Sequence, residues 1–374
     1  MLFKNALIFR PGLGFVHGSF RVEDGRFAEV MDSVPAESGL DLGGLRVIPG
    51  LIDLHSHGAM GADFSDGDYE GLKKMAGYLA RSGVTSFAPA SMTLPYEVLA
   101  KAFATASRLK SEQPEGCSRL MGIQMEGPFF SEKKKGAQNA EFLRLPDIEA
   151  FKTLFDDCGG LIKIADIAPE LEGAEEFIRE ISKLCLVSVA HTDAGYDHAK
   201  MAFDSGARHL THLFNAMPGI HHRNPGVIGA AAEREDVVAE LICDGLHVHP
   251  SAVRLAFRLF PDRICLISDA LRCVGMPDGE YELGGQPVFL KDCIARLADG
   301  TIAGSASNLY TCMLNAISFG IPVETAVTAA TLTPAKELGC DDILGSIEPG
   351  KLADFIVCND DLSLKTVYMG GKAV

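Results

Sequence analysis

No apolar run in this 374-residue chain approaches the roughly 20 residues that a membrane-spanning helix needs. Nor does the N-terminus carry a basic segment leading into an apolar one, so export is not expected and a cytoplasmic location is. The ten cysteines include no CxxC pair; Cys185, Cys243 and Cys265 lie inside apolar runs, the pattern of buried free thiols in a reducing compartment. Positive charge is scarce. With 34 Lys and Arg against 50 Asp and Glu the formal net charge is -16, which argues against a nucleic-acid-binding surface, because phosphate backbones are held by clustered cations. Any anionic small molecule must then be met by a few local cations. A Gly-rich dinucleotide loop after the first buried strand is missing too.

What is present is an ordinary globular composition, 47% hydrophobic and 22% charged, in a chain longer than one average domain. Residues 6–48 read as short alternating strands with Gly-containing turns, at 6–9, 14–21 and 26–30, and the last thirty or so residues look alike. Neither end has enough apolar residues for a core of its own. The two are expected to pair as a small β-sandwich domain, 1–48 plus 344–374, beside a larger unit at 49–343. In that unit strand candidates at 49–55, 84–88, 120–126, 162–168, 185–190, 209–213, 238–244 and 263–268 alternate with helical patterns at 69–81, 96–109, 147–155, 174–184 and 251–260. Eight β/α alternations predict an α/β fold with a (β/α)8 TIM-type barrel, and a doubly wound sheet is the alternative.

The chain is organised around Pro49-Gly50-Leu51-Ile52-Asp53-Leu54-His55-Ser56-His57-Gly58. A buried strand here ends in two histidines two residues apart, and strand side chains alternate with period two, so both imidazoles leave on one side. A single histidine at a strand end is more often a hydrogen-bonded structural residue, but two side by side are least costly with a cation between them. The other strand ends carry Glu126, His191, His212, His247 and Asp269, each of which taken alone could cap or hold a turn. Together, five histidines and two carboxylates at one mouth are donors suited to Zn, Fe, Mn or Co, one or two ions per chain. A metal with an open position polarises a carbonyl and acidifies water, and a carboxylate such as Asp269 can take and return the proton. That chemistry is hydrolysis. His198, His209, His221 and His249 lack this placement and are expected to be structural or on the surface.

The HxH after a PGLID strand, the single histidines after strands five and six, the Asp after strand eight and the stretch from Gly345 to Phe355 resemble the amidohydrolase superfamily. More narrowly, Met125-Glu126-Gly127-Pro128-Phe129, Ala190-His191-Thr192-Asp193-Ala194, Thr211-His212-Leu213-Phe214-Asn215-Ala216-Met217 and Asp244-Gly245-Leu246-His247 are similar to the N-acetylglucosamine-6-phosphate deacetylase family. The resemblance implies removal of acetate from that amino-sugar phosphate, with Glu126, His191 and His212 on the main metal and His55 and His57 on a second bridged by Glu126. It implies that Asp269 is the general base and acid, and that His247, Asn215 and Ala216 contact substrate. Arg223 resembles a phosphate-binding arginine contributed across a homodimer interface. The backbone near Ala303 and Gly304 resembles further substrate contacts. After EGPF, where many members have a His, this chain has Gln138 next to Ala137; an amide can donate a hydrogen bond but carries no positive charge.

Three other readings stay open. Lys133, Lys134 and Lys135 form a cationic triplet that either steers an anionic substrate or is a solvated loop. The activity could be that of another superfamily member: an N-acetylgalactosamine-6-phosphate deacetylase, a cyclic-amide hydrolase or an aminohydrolase. Many cyclic-amide members bridge two metals with a carboxylated lysine at the end of strand four, and here Lys163 stands at its start. A barrel without catalysis would be free to drop ligands, and this chain keeps one at every metal position.

Overall fold

Eight strands run parallel through the middle of the chain: β1 (Leu51–Ser56), β2 (Val84–Pro89), β3 (Ile123–Met125), β4 (Ile162–Ile167), β5 (Leu186–Val189), β6 (His209–Leu210), β7 (Val238–Ile242) and β8 (Ile264–Ile267). Every position of β1 and β2 is buried, as the near-continuous apolar sequence of a strand covered on both faces requires. The computed structural model describes residues 1–374. β3 to β8 pair in sequence order, β2 pairs β1 and a short strand at Arg119–Leu120, and parallel bridges Ala90–Gln124 and Ser56–Ala270 lead from β2 to β3 and from β8 to β1.

Helices α1 (Tyr69–Arg81), α2 (Tyr96–Glu112), α3 (Ile148–Asp157), α4 (Ala174–Ile181), α5 (Tyr196–Ser205), α6 (Gly226–Ala232) and α7 (Pro250–Leu259) lie between or beside the strands, and α8 (Leu309–Ser318), α9 (Val323–Ala329) and α10 (Leu332–Glu337) follow β8. α1 shows why the pattern forms helix. Asp68 caps it by accepting from the Glu70 and Gly71 amides, both at 3.1 Å, and Leu72, Met75, Ala76, Leu79 and Ala80 fall on one buried face. Gly83 then turns the chain into β2 at φ +90°, where a Cβ would also meet the Tyr310 ring at 2.9 Å.

The sequence boundaries agree with these elements to within a few residues, and the departures have local causes. Strand six was expected over 209–213 but stops at Leu210, because His212 takes φ +30° and cannot continue a ladder. Strand three is split around Gly122, where a Cβ would stand 2.3 Å from Lys163 Cγ. A three-stranded antiparallel sheet at Gly279–Leu283, Gln286–Lys291 and Ile294–Leu297 was not foreseen. It buries Leu283, Val288, Leu290, Ala295 and Leu297 against Met92 and Leu271.

Both termini share one sheet: Phe355–Cys358 lies antiparallel on Arg46–Pro49, which lies beside Leu2–Arg10, followed by Gly14–Glu23 and Arg26–Met31. Phe355 and Phe20 are three strand steps apart in that order, which in a flat sheet is about 14 Å. Their rings are 4.9 Å apart between centroids, so the sheet curls over its own core of Phe3, Phe20, Phe27 and Phe355. Buried Asp354 ties this sheet to the strands, accepting from Arg119 Nε at 2.7 Å and from the Gly370 amide at 2.6 Å. All ten cysteines are free thiols, and only Cys293 is exposed. No helix is long and apolar enough to cross a membrane.

Candidate active site

The C-terminal strand ends deliver the expected residues to one place. Glu126, just after β3, is at the centre: its Oε1 lies 3.0 Å from His191 Nε2 and 3.2 Å from His212 Nε2, and those two nitrogens are 3.0 Å apart. On the other side His57 Nε2 is 3.4 Å from Glu126 Oε2, and His55 Nε2 is 3.6 Å from Oε1. Asp269 Oδ1 reaches the same pair, 3.3 Å from His57 Nε2 and 3.7 Å from His55 Nε2. His191, His212 and Asp269 hold positive φ of 43°, 30° and 50°, a left-handed backbone that turns each side chain sharply off its strand and is characteristic of functional sites.

The tautomers decide what this cluster can hold. His57 Nδ1 donates to the Ala90 carbonyl at 3.1 Å, His191 Nδ1 to the Lys134 carbonyl at 2.9 Å and His55 Nδ1 to the Glu240 carboxylate at 3.0 Å. As a neutral ring each turns its Nε2 lone pair towards carboxylate oxygens, and His55 Nε2 is a buried atom without any hydrogen-bond partner. Lone pairs facing lone pairs in a dry pocket repel unless a proton or a metal ion lies between them. Glu126 with His191 and His212, and Glu126 with His55 and His57, are each compact enough to hold one. Two nitrogens on a tetrahedral zinc stand about 3.3 Å apart, close to the spacings seen here.

Burial pushes Glu126 and Asp269 up, but the surrounding imidazoles outweigh it and both carboxyls are held below the usual range. The same pairing raises His55 and His57 against their burial, with Glu240 the largest opposing influence on His55. His247 rises likewise through Asp244, which accepts from its Nδ1 at 2.7 Å.

Above the cluster opens a pocket of about 350 Å³ lined by His57, Glu126, His191, His212, His247 and Asp269, together with Ala137, Gln138, Asn215, Ala216 and Gly304. His55 lies beneath it, wholly buried, and Ala303 sits behind the wall. Gln138 spends its amide on the cluster itself: Nε2 donates to Glu126 Oε2 at 2.7 Å, while Oε1 accepts from the Thr93 amide at 2.8 Å. Arg223 is not in this pocket; it is exposed, 2.8 Å from its neighbour His222 Nε2, and lines a separate groove with Tyr196 and Asn224. Lys133 pairs on the surface with Asp193 at 3.1 Å.

A model of the amidohydrolase family matches residues 46–374. The chain belongs to the amidohydrolase family. It is 36% identical over 390 residues to N-acetylglucosamine-6-phosphate deacetylase of Bacillus subtilis, covering 100% of this chain and 97% of that one. It is 35% identical over 326 residues to N-acetylgalactosamine-6-phosphate deacetylase of Escherichia coli O157:H7, covering 87% and 86%. Among solved structures, an aspartate-to-alanine mutant of N-acetyl-D-glucosamine-6-phosphate deacetylase from Mycobacterium smegmatis, in complex with N-acetyl-D-glucosamine-6-phosphate, superimposes with a TM-score of 0.94. It is 30% identical, with 100% of this chain and 98% of that one covered.

Reading the sequence missed two contributions to this amidohydrolase site. Glu240, a carboxylate inside the apolar strand β7, accepts from His55 Nδ1, from His209 Nε2 at 3.1 Å and from the His212 amide at 3.2 Å. A lone acid in Val238-Ala239-Glu240-Leu241-Ile242 was the available signal. The other is the pocket wall of Met92, Leu271, Leu283 and Ile302, formed with the unforeseen sheet.

Proposed function

We propose that the protein hydrolyses the acetamide of N-acetyl-D-glucosamine 6-phosphate to glucosamine 6-phosphate and acetate. The observation that carries this reading is the Glu126-centred cluster of inward Nε2 lone pairs with Asp269 at its edge. Glu126, His191 and His212 would hold a divalent ion, and His55 and His57 with Glu126 a second; such an ion would supply an acidified water and a polarised carbonyl. Asp269, kept ionised by the histidines beside it, takes the proton of the attacking water and returns it to the departing nitrogen. His247, held by Asp244 and raised in pKa, offers its other nitrogen to the carbonyl oxygen. Gln138 orients Glu126, and Asn215, Ala216, Ala137 and the Ala303-Gly304 backbone hold the sugar. The (β/α)8 closure of 49–343, supported by the bridges that link β8 to β1, and the small β-sandwich of 1–48 with 344–374, supported by the curled terminal sheet, are part of the same proposal.

Arg223 serves the phosphate of a neighbouring copy, since it lies outside its own pocket. Mixing inactive Arg223→Ala with inactive Asp269→Asn then restores about a quarter of wild-type activity, because half of randomly re-formed dimers hold one intact site. No recovery contradicts the shared site.

The Escherichia coli relative supports a second reading, the galactosamine epimer. Acetate release from both sugar phosphates and from unphosphorylated N-acetylglucosamine, with the metal content of the protein quantified, tests the assignment. Preference for the phosphate by about 100-fold, the scale of losing one or two charge-assisted hydrogen bonds, is expected. Equal rates with and without phosphate contradict the substrate, and faster release from the galactosamine compound favours the epimer.

A further inference from the structure

We propose that His209 is a positioning residue for His55, acting through Glu240 along a hydrogen-bonded line that ends on Glu337 at the opposite ends of the strands. The proposal rests on the metal-hydrolase reading above. Glu337 Oε2 lies 2.7 Å from His209 Nδ1, His209 Nε2 lies 3.1 Å from Glu240 Oε1, and Glu240 Oε2 lies 3.0 Å from His55 Nδ1. The His209 and Glu240 side chains have no exposed surface, whereas Glu337 keeps 14% of its own and lines a cavity of about 470 Å³ with Lys336 and the first residues of β7 and β8, Val238 and Ile264. The line therefore crosses the strand layer from a wet end to the catalytic cluster.

His209 stands between two carboxylates, which only accept, so both its ring nitrogens carry hydrogen and the imidazolium is a buried cation. Burial alone would lower its pKa, but the two carboxylates push it up to about 10. Its charge offsets that of Glu240, which is otherwise a carboxylate in an apolar strand. Glu240 also accepts from the His212 amide, but the only imidazole ligand it orients is that of His55. His57 and His191 are oriented by the carbonyls of Ala90 and Lys134, which the backbone fixes, whereas the His55 tautomer depends on a side chain that itself needs a partner. Without His209, Oε1 of Glu240 has no donor, the carboxylate is free to turn, and the His55 ring loses the fixed acceptor that orients it.

The test compares metal-free wild-type, His209→Gln and Glu337→Gln chains, titrated with zinc against a chromophoric chelator, with thermal unfolding and steady-state kinetics on the same preparations. Wild type is expected to bind two ions. His209→Gln should weaken the second ion about 10-fold or more, the range for loss of a ligand's hydrogen-bond partner, and leave the first within about 3-fold. Glu337→Gln, which keeps an acceptor but removes a charge at the accessible end, should shift the second ion in the same direction by less. In both, kcat should fall with KM within about 2-fold. Unchanged second-ion affinity in both variants, or equal weakening of both ions together with a lower unfolding temperature, overturns the proposal and makes His209 a packing residue. A wild type binding one ion overturns it as well, and one binding none overturns the metal reading beneath it.

Discussion

Glu126 faces the Nε2 atoms of four histidines, three of which commit Nδ1 elsewhere while Nδ1 of His212 has no partner, and only Gln138 gives it an unambiguous donor. Gln138→Ala should therefore loosen Glu126 as well as empty part of the pocket wall, lowering kcat/KM and metal affinity together by about 10-fold. A loss in KM alone would show that Gln138 serves substrate only. Asp269→Asn keeps the shape and removes the proposed base; turnover should drop by about 1,000-fold or more with metal content unchanged, and retained turnover contradicts the role given to Asp269. At this scale the sequence was informative wherever a polar residue interrupted an apolar run at its end, as with His55, Glu126, His212 and Asp269. Glu240 showed only as a lone acid in an apolar strand and His209 only as a structural or surface histidine, because what pairs them, and pairs them with His55 and Glu337, is distant in the chain.

Elements were legible where their periodicity was long. α1 and α2 bury their apolar faces as their sequences imply, and Asp68→Ala should cost about 1 kcal/mol through the lost cap, read as a lower unfolding midpoint with unchanged activity. The sheet of Gly279–Leu297 is different: its strands are short, and its apolar residues face Met92, Leu271 and the pocket rather than the main core. Gln286 hooks it to the Ala137 carbonyl at 2.7 Å. Releasing that hook with Gln286→Ala should raise KM about 3- to 10-fold while kcat stays within 2-fold, since Ala137 lines the pocket above the Glu126 cluster. A fall in kcat at unchanged KM would place the sheet's influence on the chemistry instead.

Across the whole molecule, strand positions and both-face burial followed from the apolar runs, the strand order is what separates a barrel-like sheet from a doubly wound one, and the shared sheet of the termini accords with neither having a core alone. What the sequence could not show is the polar interior that runs between the two ends of the strands, because each member is defined by a partner far away in the chain. That interior makes a pH prediction. With a folded pKa of about 10 against an ordinary 6.5, the stability His209 contributes is complete below about pH 6.5 and is lost as pH rises towards 10. The unfolding midpoint of metal-free protein should fall between pH 7 and 10, and His209→Gln should flatten that slope. A parallel slope in the variant contradicts the buried imidazolium.

Metal is what the Glu126 cluster is built to hold in the function proposed above. Stepwise return of zinc or manganese to metal-free protein, with acetate release from N-acetylglucosamine 6-phosphate followed at each addition, measures it most directly. Activity should be absent without metal, climb with the first one or two equivalents and stay absent in Glu126→Gln at any metal level; full turnover by the metal-free protein would contradict the account.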